Sequence, residues 1–482
     1  MSLADPARTR SDVTRSDVTE SDLTDAGDGS RPPAASPSSP PRWLRWTVIA
    51  VIVAVGLGVR WWFLDVETLD YRAFLSRWYG TLDSQGFGAF REKFADYNYP
   101  YLYLLWLLTV LHIPALVGVK AISIAFDLVL AVVAYRIVAL RTARYWLRAM
   151  AFGIVFLLPS VIANSSYWGQ ADAIYSACAI GGVYFLMRAQ RESLRRNSIW
   201  ACALFGLALS FKLQAIFVLP VLVWLLIRRR LPWSSLLAIP AVYLLLDIPA
   251  VLAGASWSTA LSVYLDQTGS YQQLTLGAAN LYQLIAIEGD ATWLAHLGIG
   301  AAAAIIVAFL AWSLWQKPAV SPTSILVVAT ASAVIVPFLL PAMHDRYFYT
   351  AEILSVVTAF YLPLRFVVIP ILIQASAIGV YHASLTGDQG QAMVGGPAQG
   401  GAGHGGAGHG GAGHGGAGPA GPGPGAPAPG GMHGSGGGYT SGRGDPALSV
   451  YASMMGLAAL GMVYATLDTF RRARSLVLRS PA

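Results

Sequence analysis

Charge is what this chain lacks most. Only 12% of its 482 residues are Asp, Glu, Lys or Arg, while 55% are hydrophobic, and the mean hydropathy is +0.54. A soluble domain carries about 25% charged residues, so an ordinary solvated surface is excluded. Cysteine is scarce as well. Cys178 and Cys202 lie inside apolar stretches, which excludes a disulfide framework and a C-x-x-C metal site. In place of both there are long uncharged runs. Windows of mostly apolar residues recur along the chain, each long enough to cross a hydrocarbon core of about 30 Å. The class is an all-α polytopic membrane protein. The net charge of +7 does not point to nucleic acid, because Arg and Lys cluster briefly between apolar runs, as in cytoplasmic loops.

Those basic clusters thread the chain. Residues 1–41, rich in Ser, Asp, Thr and Pro, read as a disordered cytoplasmic tail. The first span, 44–64, follows Arg42 and Arg45 and lacks a small-residue cleavage site, so it reads as an anchor. Residues 99–140 hold two apolar runs but cross once, so 99–112 is expected to be a half-helix ending near His112-Ile113-Pro114. Further spans follow at 146–163, 172–189, 199–211, 213–227, 233–253, 293–315, 322–341, 347–363, 366–384 and 448–469. The total is about twelve crossings, with a bundle at 42–385 and both termini cytoplasmic in a plasma membrane. Residues 386–446 contain "GAGHGGAGHGGAGHGGAG", a flexible extracytoplasmic coil whose His404, His409 and His414 could also scavenge a metal weakly. Residues 447–482 supply the last span and a basic tail.

This threading places five polar segments outside together: the 65–98 loop, "NSSYWGQAD" (164–172), "FKLQ" (211–214), the 254–292 loop and "MHDRYFY" (343–349). In the first, Tyr71, Phe74, Leu75, Trp78, Tyr79 and Leu82 form one apolar stripe. Such a helix, continued by Phe87, Phe90 and Phe94, is expected to lie flat among headgroups as an interfacial helix pair. Asp70 opens it. Asp96 precedes the re-entry at Pro100, either as a cap or as a site residue. Gln170 and Asp172 point into the bundle, as structural polar groups or as substrate contacts. Lys212 either snorkels or binds an anionic headgroup, and Lys120 with Asp127 reads as a buried charge pair. His344 and Arg346 offer positive donors, with Arg suited to phosphate, and Tyr347 adds a hydroxyl. Ionisable groups at such depth mark function. A carboxylate deprotonates a hydroxyl, cations neutralise a departing phosphate and an apolar slot holds a prenyl tail. Together they suit glycosyl transfer from a polyprenyl-phosphate sugar.

The ordered stretches "LDYRAFLSRWYGTL", "FADYNYPYLYLL", "NSSYWGQADAIYSA", "FKLQAIFVLP" and "MHDRYFYTAEILS" resemble those of bacterial GT-C glycosyltransferases related to the second GPI-anchor mannosyltransferase. The likeness covers roughly residues 60–365. It implies a GT-C-like bundle and an inverting, metal-independent transfer, often of mannose, to a glycan, lipid or protein acceptor outside. The general base would fall on Asp70, and the cationic motif on His344 and Arg346. His344-Asp345-Arg346-Tyr347 stands where relatives carry His-Glu-Arg-Tyr, and Tyr99-Pro100-Tyr101 where they carry Pro-Pro. No cofactor beyond the lipid-linked donor is implied, although the outer acids leave a divalent metal open. The rival reading is a transporter or flippase of lipid-linked saccharides. Transporters often repeat a half with matching broken helices, and no such repeat is visible.

Overall fold

Apolar runs interrupted by Pro, Gly and charge fold into helices of unequal length. The computed structural model describes residues 40–269, 271–387 and 438–479; the expected N-terminal tail and most of the Gly/His-rich coil lie outside them. α1 (Arg42–Trp61) leads to a π-helical turn (Tyr71–Leu75), α2 (Ser76–Gln85), a 3-10 turn (Gly86–Arg91) and α3 (Tyr99–Val110). Then come α4 (Ala115–Arg141), α5 (Tyr145–Leu157), α6 (Pro159–Ile162), α7 (Asp172–Ala189), α8 (Leu194–Phe211) and α9 (Pro220–Ile227). The chain continues through α10 (Ala238–Leu252), α11 (Trp257–Gly269), α12 (Thr292–Gln316), α13 (Pro322–Leu339), α14 (Tyr349–Ala359), α15 (Val368–Thr386) and α16 (Ala447–Arg479).

Seven described helical segments are long and apolar enough to cross a bilayer, and the pair α5–α6, bent by 43° at a break, makes an eighth. Residues 213–227 and α14 are shorter apolar helices, so seven or eight of the twelve expected crossings are long and apolar enough by themselves among the described residues. At one end Arg141 donates to the Tyr361 carbonyl, Arg191 to the Leu140 carbonyl, and Arg365 pairs with Asp468 at 2.8 Å. The polar segments gather at the other end.

α7 is the central helix, with almost every side chain buried. Its small residues, Ala173, Ser176, Ala177, Ala179, Gly181 and Gly182, let α4, α8 and α13 approach closely, the usual way apolar helices pack in lipid. At Gly182 a Cβ would stand 2.8 Å from the Phe205 ring.

The short helix expected at 99–112 is present as α3. α3 begins beside Asn98, which donates to the Ser210 carbonyl, and ends where Tyr79 donates to the Ile113 carbonyl at 2.8 Å. At 12 residues α3 is shorter than the helices that could cross a bilayer. A left-handed His112 (φ 54°) breaks the chain before Pro114. The stripe of α2 is not simply sunk among headgroups: Leu75, Trp78 and Leu82 are buried against α3, because α3 offers an apolar face of its own. The expected Lys120–Asp127 pair is not made. Asp127 takes two hydrogen bonds from Arg60, at 2.8 and 3.2 Å, while Lys120 donates to the carbonyls of Phe63, Leu64 and Val66. One helix face separates the two charges, and each finds a nearer partner on the turn after α1 or on α1 itself.

Two short strands, β1 (Thr275–Leu276) and β2 (Met343–His344), pair in parallel and clamp the 254–292 loop onto the His-Asp-Arg run. The Gly/His-rich coil was expected to extend to residue 446, but residues 438–446 are built into this layer. Thr440 exchanges backbone hydrogen bonds with Gln272 and Leu274, and Tyr439 accepts one from Ala291.

Candidate active site

The turn after α6 sets the first part of the site. Gly169 adopts a left-handed φ of 77°, open to glycine at little cost, and this reverses the chain so that Trp168 and Gln170 face the same carboxylate. Trp168 Nε1 and Gln170 Nε2 donate to Asp70 Oδ2 at 3.0 and 2.7 Å. Two residues later Asp172 starts α7, where Asn164 Nδ2 donates to its Oδ2 at 2.9 Å and Lys212 donates to Oδ1. The Lys212 ammonium also lies 5.2 Å from the centre of the Tyr97 ring.

Arg346 ties these parts together. Its Nη1 is 3.4 Å from Asp70 Oδ2 and 3.4 Å from Asp345 Oδ1, its Nε is 3.7 Å from Asp172 Oδ2, and its guanidinium lies over the Trp168 ring at 5.3 Å. Buried Nε nevertheless completes no hydrogen bond. Burial works against the charge of Arg346, but Asp70, Asp345 and Asp172 hold it firmly cationic. The backbone is strained to present this run: Ala342 has φ 57°, rare for a residue with a Cβ, and its N–H is held by the carbonyls of Gln273 and Leu274.

The surrounding charges follow from burial. Burial pulls Lys212 below the ordinary ammonium range, with Asp172 opposing. Asp345 is pushed up by burial against the pull of Arg346, and Ser384 donates to it. Tyr347 is pushed up to about 12, again by burial. Burial and then Arg346 pull His344 down to about 3, so its imidazole, packed between Tyr271 and Tyr347, is neutral. The sequence suggested a cation there; desolvation beside a guanidinium reverses that.

Asp70, Gln170, Asp172, Lys212, His344, Arg346 and Tyr347 thus meet in one cluster. Asp96 does not share its contacts in the same way: it is exposed on the loop before α3, and its charge acts on Tyr271. Trp168, Asn164, Tyr97 and Tyr271 belong to the cluster but were not singled out as site residues. Trp168 looked like an ordinary interfacial aromatic, and its place directly before Gly-Gln was the available signal. Among the described residues no three His, Cys, Asp or Glu side chains gather as a metal site requires; the three aspartates meet around a guanidinium instead. An apolar cleft of about 240 Å³ lies between α12, α13 and α16, lined by Ile305, Phe309, Val328, Ile335 and Val463 among others, none of them from the polar cluster.

No family model matches the chain, and no curated protein matches it. Among solved structures it is similar to the crystal structure of ArnT from Cupriavidus metallidurans bound to undecaprenyl phosphate, with 13% identity and a TM-score of 0.43 over 90% of this chain and 77% of that one. Similarity at that level says little about chemistry, which this chain's own residues must carry.

Proposed function

We propose that this chain is a multi-pass membrane glycosyltransferase of the GT-C kind. It moves a hexose, mannose in the first instance, from a polyprenyl-phosphate sugar to an acceptor hydroxyl on the extracytoplasmic side. The observation that carries the reading is the 3.4 Å approach of Arg346 to Asp70, a base and a phosphate-binding cation held together where five distant segments meet. In the reaction Asp70 takes the acceptor proton as the acceptor oxygen bonds to the anomeric carbon. The bond from that carbon to the phosphate oxygen breaks on the opposite face, which inverts the configuration. Arg346 and Lys212 offset the charge gathering on the departing polyprenyl phosphate. The unpartnered Arg346 Nε offers a donor to a phosphate oxygen. Neutral His344 and Tyr347 serve as hydrogen-bonding groups around the sugar.

Asp70→Asn tests this, being nearly isosteric but unable to accept the proton. Purified protein in vesicles is given labelled polyprenyl-phosphate mannose and a membrane acceptor pool, and release of free polyprenyl phosphate is followed. Wild type should release it, and the variant should do so at least about 10²-fold more slowly, at the low end for lost general-base catalysis. Wild-type rates in Asp70→Asn would remove the base assignment. Movement of intact lipid across the vesicle without release would identify a flippase.

A further inference from the structure

Asp247 lies fully buried in α10, and neither carboxylate oxygen has a hydrogen-bond partner. An isolated carboxylate at such depth is costly, and a purely structural acid would be expected to carry donors. Asn98 lies near enough to donate to it and is itself fully buried with an unpartnered Oδ1. The charge of Asp247 also reaches Tyr99 and Tyr103 on α3, Tyr243 on α10 and Tyr264 on α11.

Three of the four tyrosine hydroxyls are committed elsewhere. Tyr103 accepts from the Ala250 N–H at 2.9 Å, Tyr243 donates to the Ala260 carbonyl at 3.4 Å, and Tyr264 donates to the Leu209 carbonyl. The rings stand in two pairs, Tyr99 with Tyr103 stacked at 6.4 Å and Tyr243 with Tyr264 at 6.1 Å. Aromatic rings from α3, α10 and α11 thus stand around a buried carboxylate. It adjoins the candidate active site, since Asn98 donates to the Ser210 carbonyl two residues before Lys212. Tyr97, under the Lys212 ammonium, is also near enough to act on Tyr264. On the other side Tyr243 and Tyr264 are only half-buried, between exposed Leu245, Leu252, Leu261 and Leu265.

Acceptor oxygens among aromatic faces fit a ligand with several hydroxyl donors and apolar C–H faces, and the exposed leucines outside them fit one that arrives from lipid. We propose that Asp247, Asn98 and the four tyrosines form a second binding site, which takes the hydroxylated sugar headgroup of a lipid-anchored acceptor. The inference rests on the glycosyl-transfer reading for its substrate class. Its test needs no turnover.

Full-length protein in lipid nanodiscs is titrated with octyl α-D-mannopyranoside, a neutral sugar on a short apolar tail, and saturation transfer to the sugar-ring protons is followed by NMR. Octyl tri(ethylene glycol) serves as the tail-only control. Wild type should bind the mannoside saturably, and Asp247→Asn, which keeps the shape, should bind at least tenfold more weakly. Trp146→Phe, at an exposed position of α5 outside both sites, should bind like wild type, and because the readout is binding and not turnover, failure of the Asp70 assignment would leave this result standing. Equal binding by wild type and Asp247→Asn, no saturable binding by wild type, or equal binding of the control would each overturn the proposal. A raised melting temperature in Asp247→Leu with mannoside binding unchanged would make Asp247 a structural acid and overturn it too.

Discussion

At Arg346 three carboxylates and a second cation compete for one small volume. Asp70, Asp172 and Asp345 face Arg346 and Lys212, while His344 contributes no charge. On the proposed function, an incoming phosphate must therefore take over part of what the aspartates now hold. Asp345 is the one that burial pushes up, and so the readiest to give up its charge when the donor arrives. His344 allows a stability test. Its folded imidazole stays neutral down to about 3, whereas an unfolded histidine takes a proton near 6.5. The unfolded state thus binds more protons throughout that window, so stability is lost as pH falls from about 6.5 toward 3. The thermal midpoint in nanodiscs should decline over this range, and His344→Asn should flatten the decline. An unchanged slope would mean that other groups set it.

Among the elements, the turn joining α1 to the first loop depends on a single ammonium. Lys120 satisfies three carbonyls that end the first span, two of them at 2.6 Å. Lys120→Met keeps the stem and strands those acceptors, each at a cost of about 1–3 kcal/mol when buried. The expected outcome is a clear fall in the melting temperature of the purified protein and a slower transfer rate, since Asp70 follows this turn. A melting temperature equal to wild type would show the carbonyls to be satisfied otherwise. This element also marks what the sequence conceals. The limits of α3 and α7 were readable, because Pro114 and the length of the run stop one and Asp172 opens the other. The partner of Asp127 was not, because Arg60 lies 67 residues away and nothing local distinguishes it from Lys120. Asp247 was passed over for the same reason: its tyrosines are spread over three helices, and each looks unremarkable alone.

Over the whole molecule, the convergence of the five polar segments was legible from basic clusters and span lengths, while the wiring among them was not. The orientation in the membrane follows as a prediction. Single cysteines at positions 70, 170 and 346 should react with an impermeant reagent added outside intact cells, and cysteines at 141 and 365 only after the cytoplasm is opened. Both native cysteines are buried, so background labelling should be low. Reaction of any of the first three only from the cytoplasm would dissolve the proposed site. The pairing of Arg60 with Asp127 also bears on how the chain is made. Little of α1 is buried apart from Gly56 and Arg60, and Arg60 stands in the last turn of α1, where without its counterion it has to snorkel to the interface. During synthesis α1 emerges while its counterion is still on the ribosome. It should linger at the translocon until α4 arrives, and the two should partition into lipid as a couple.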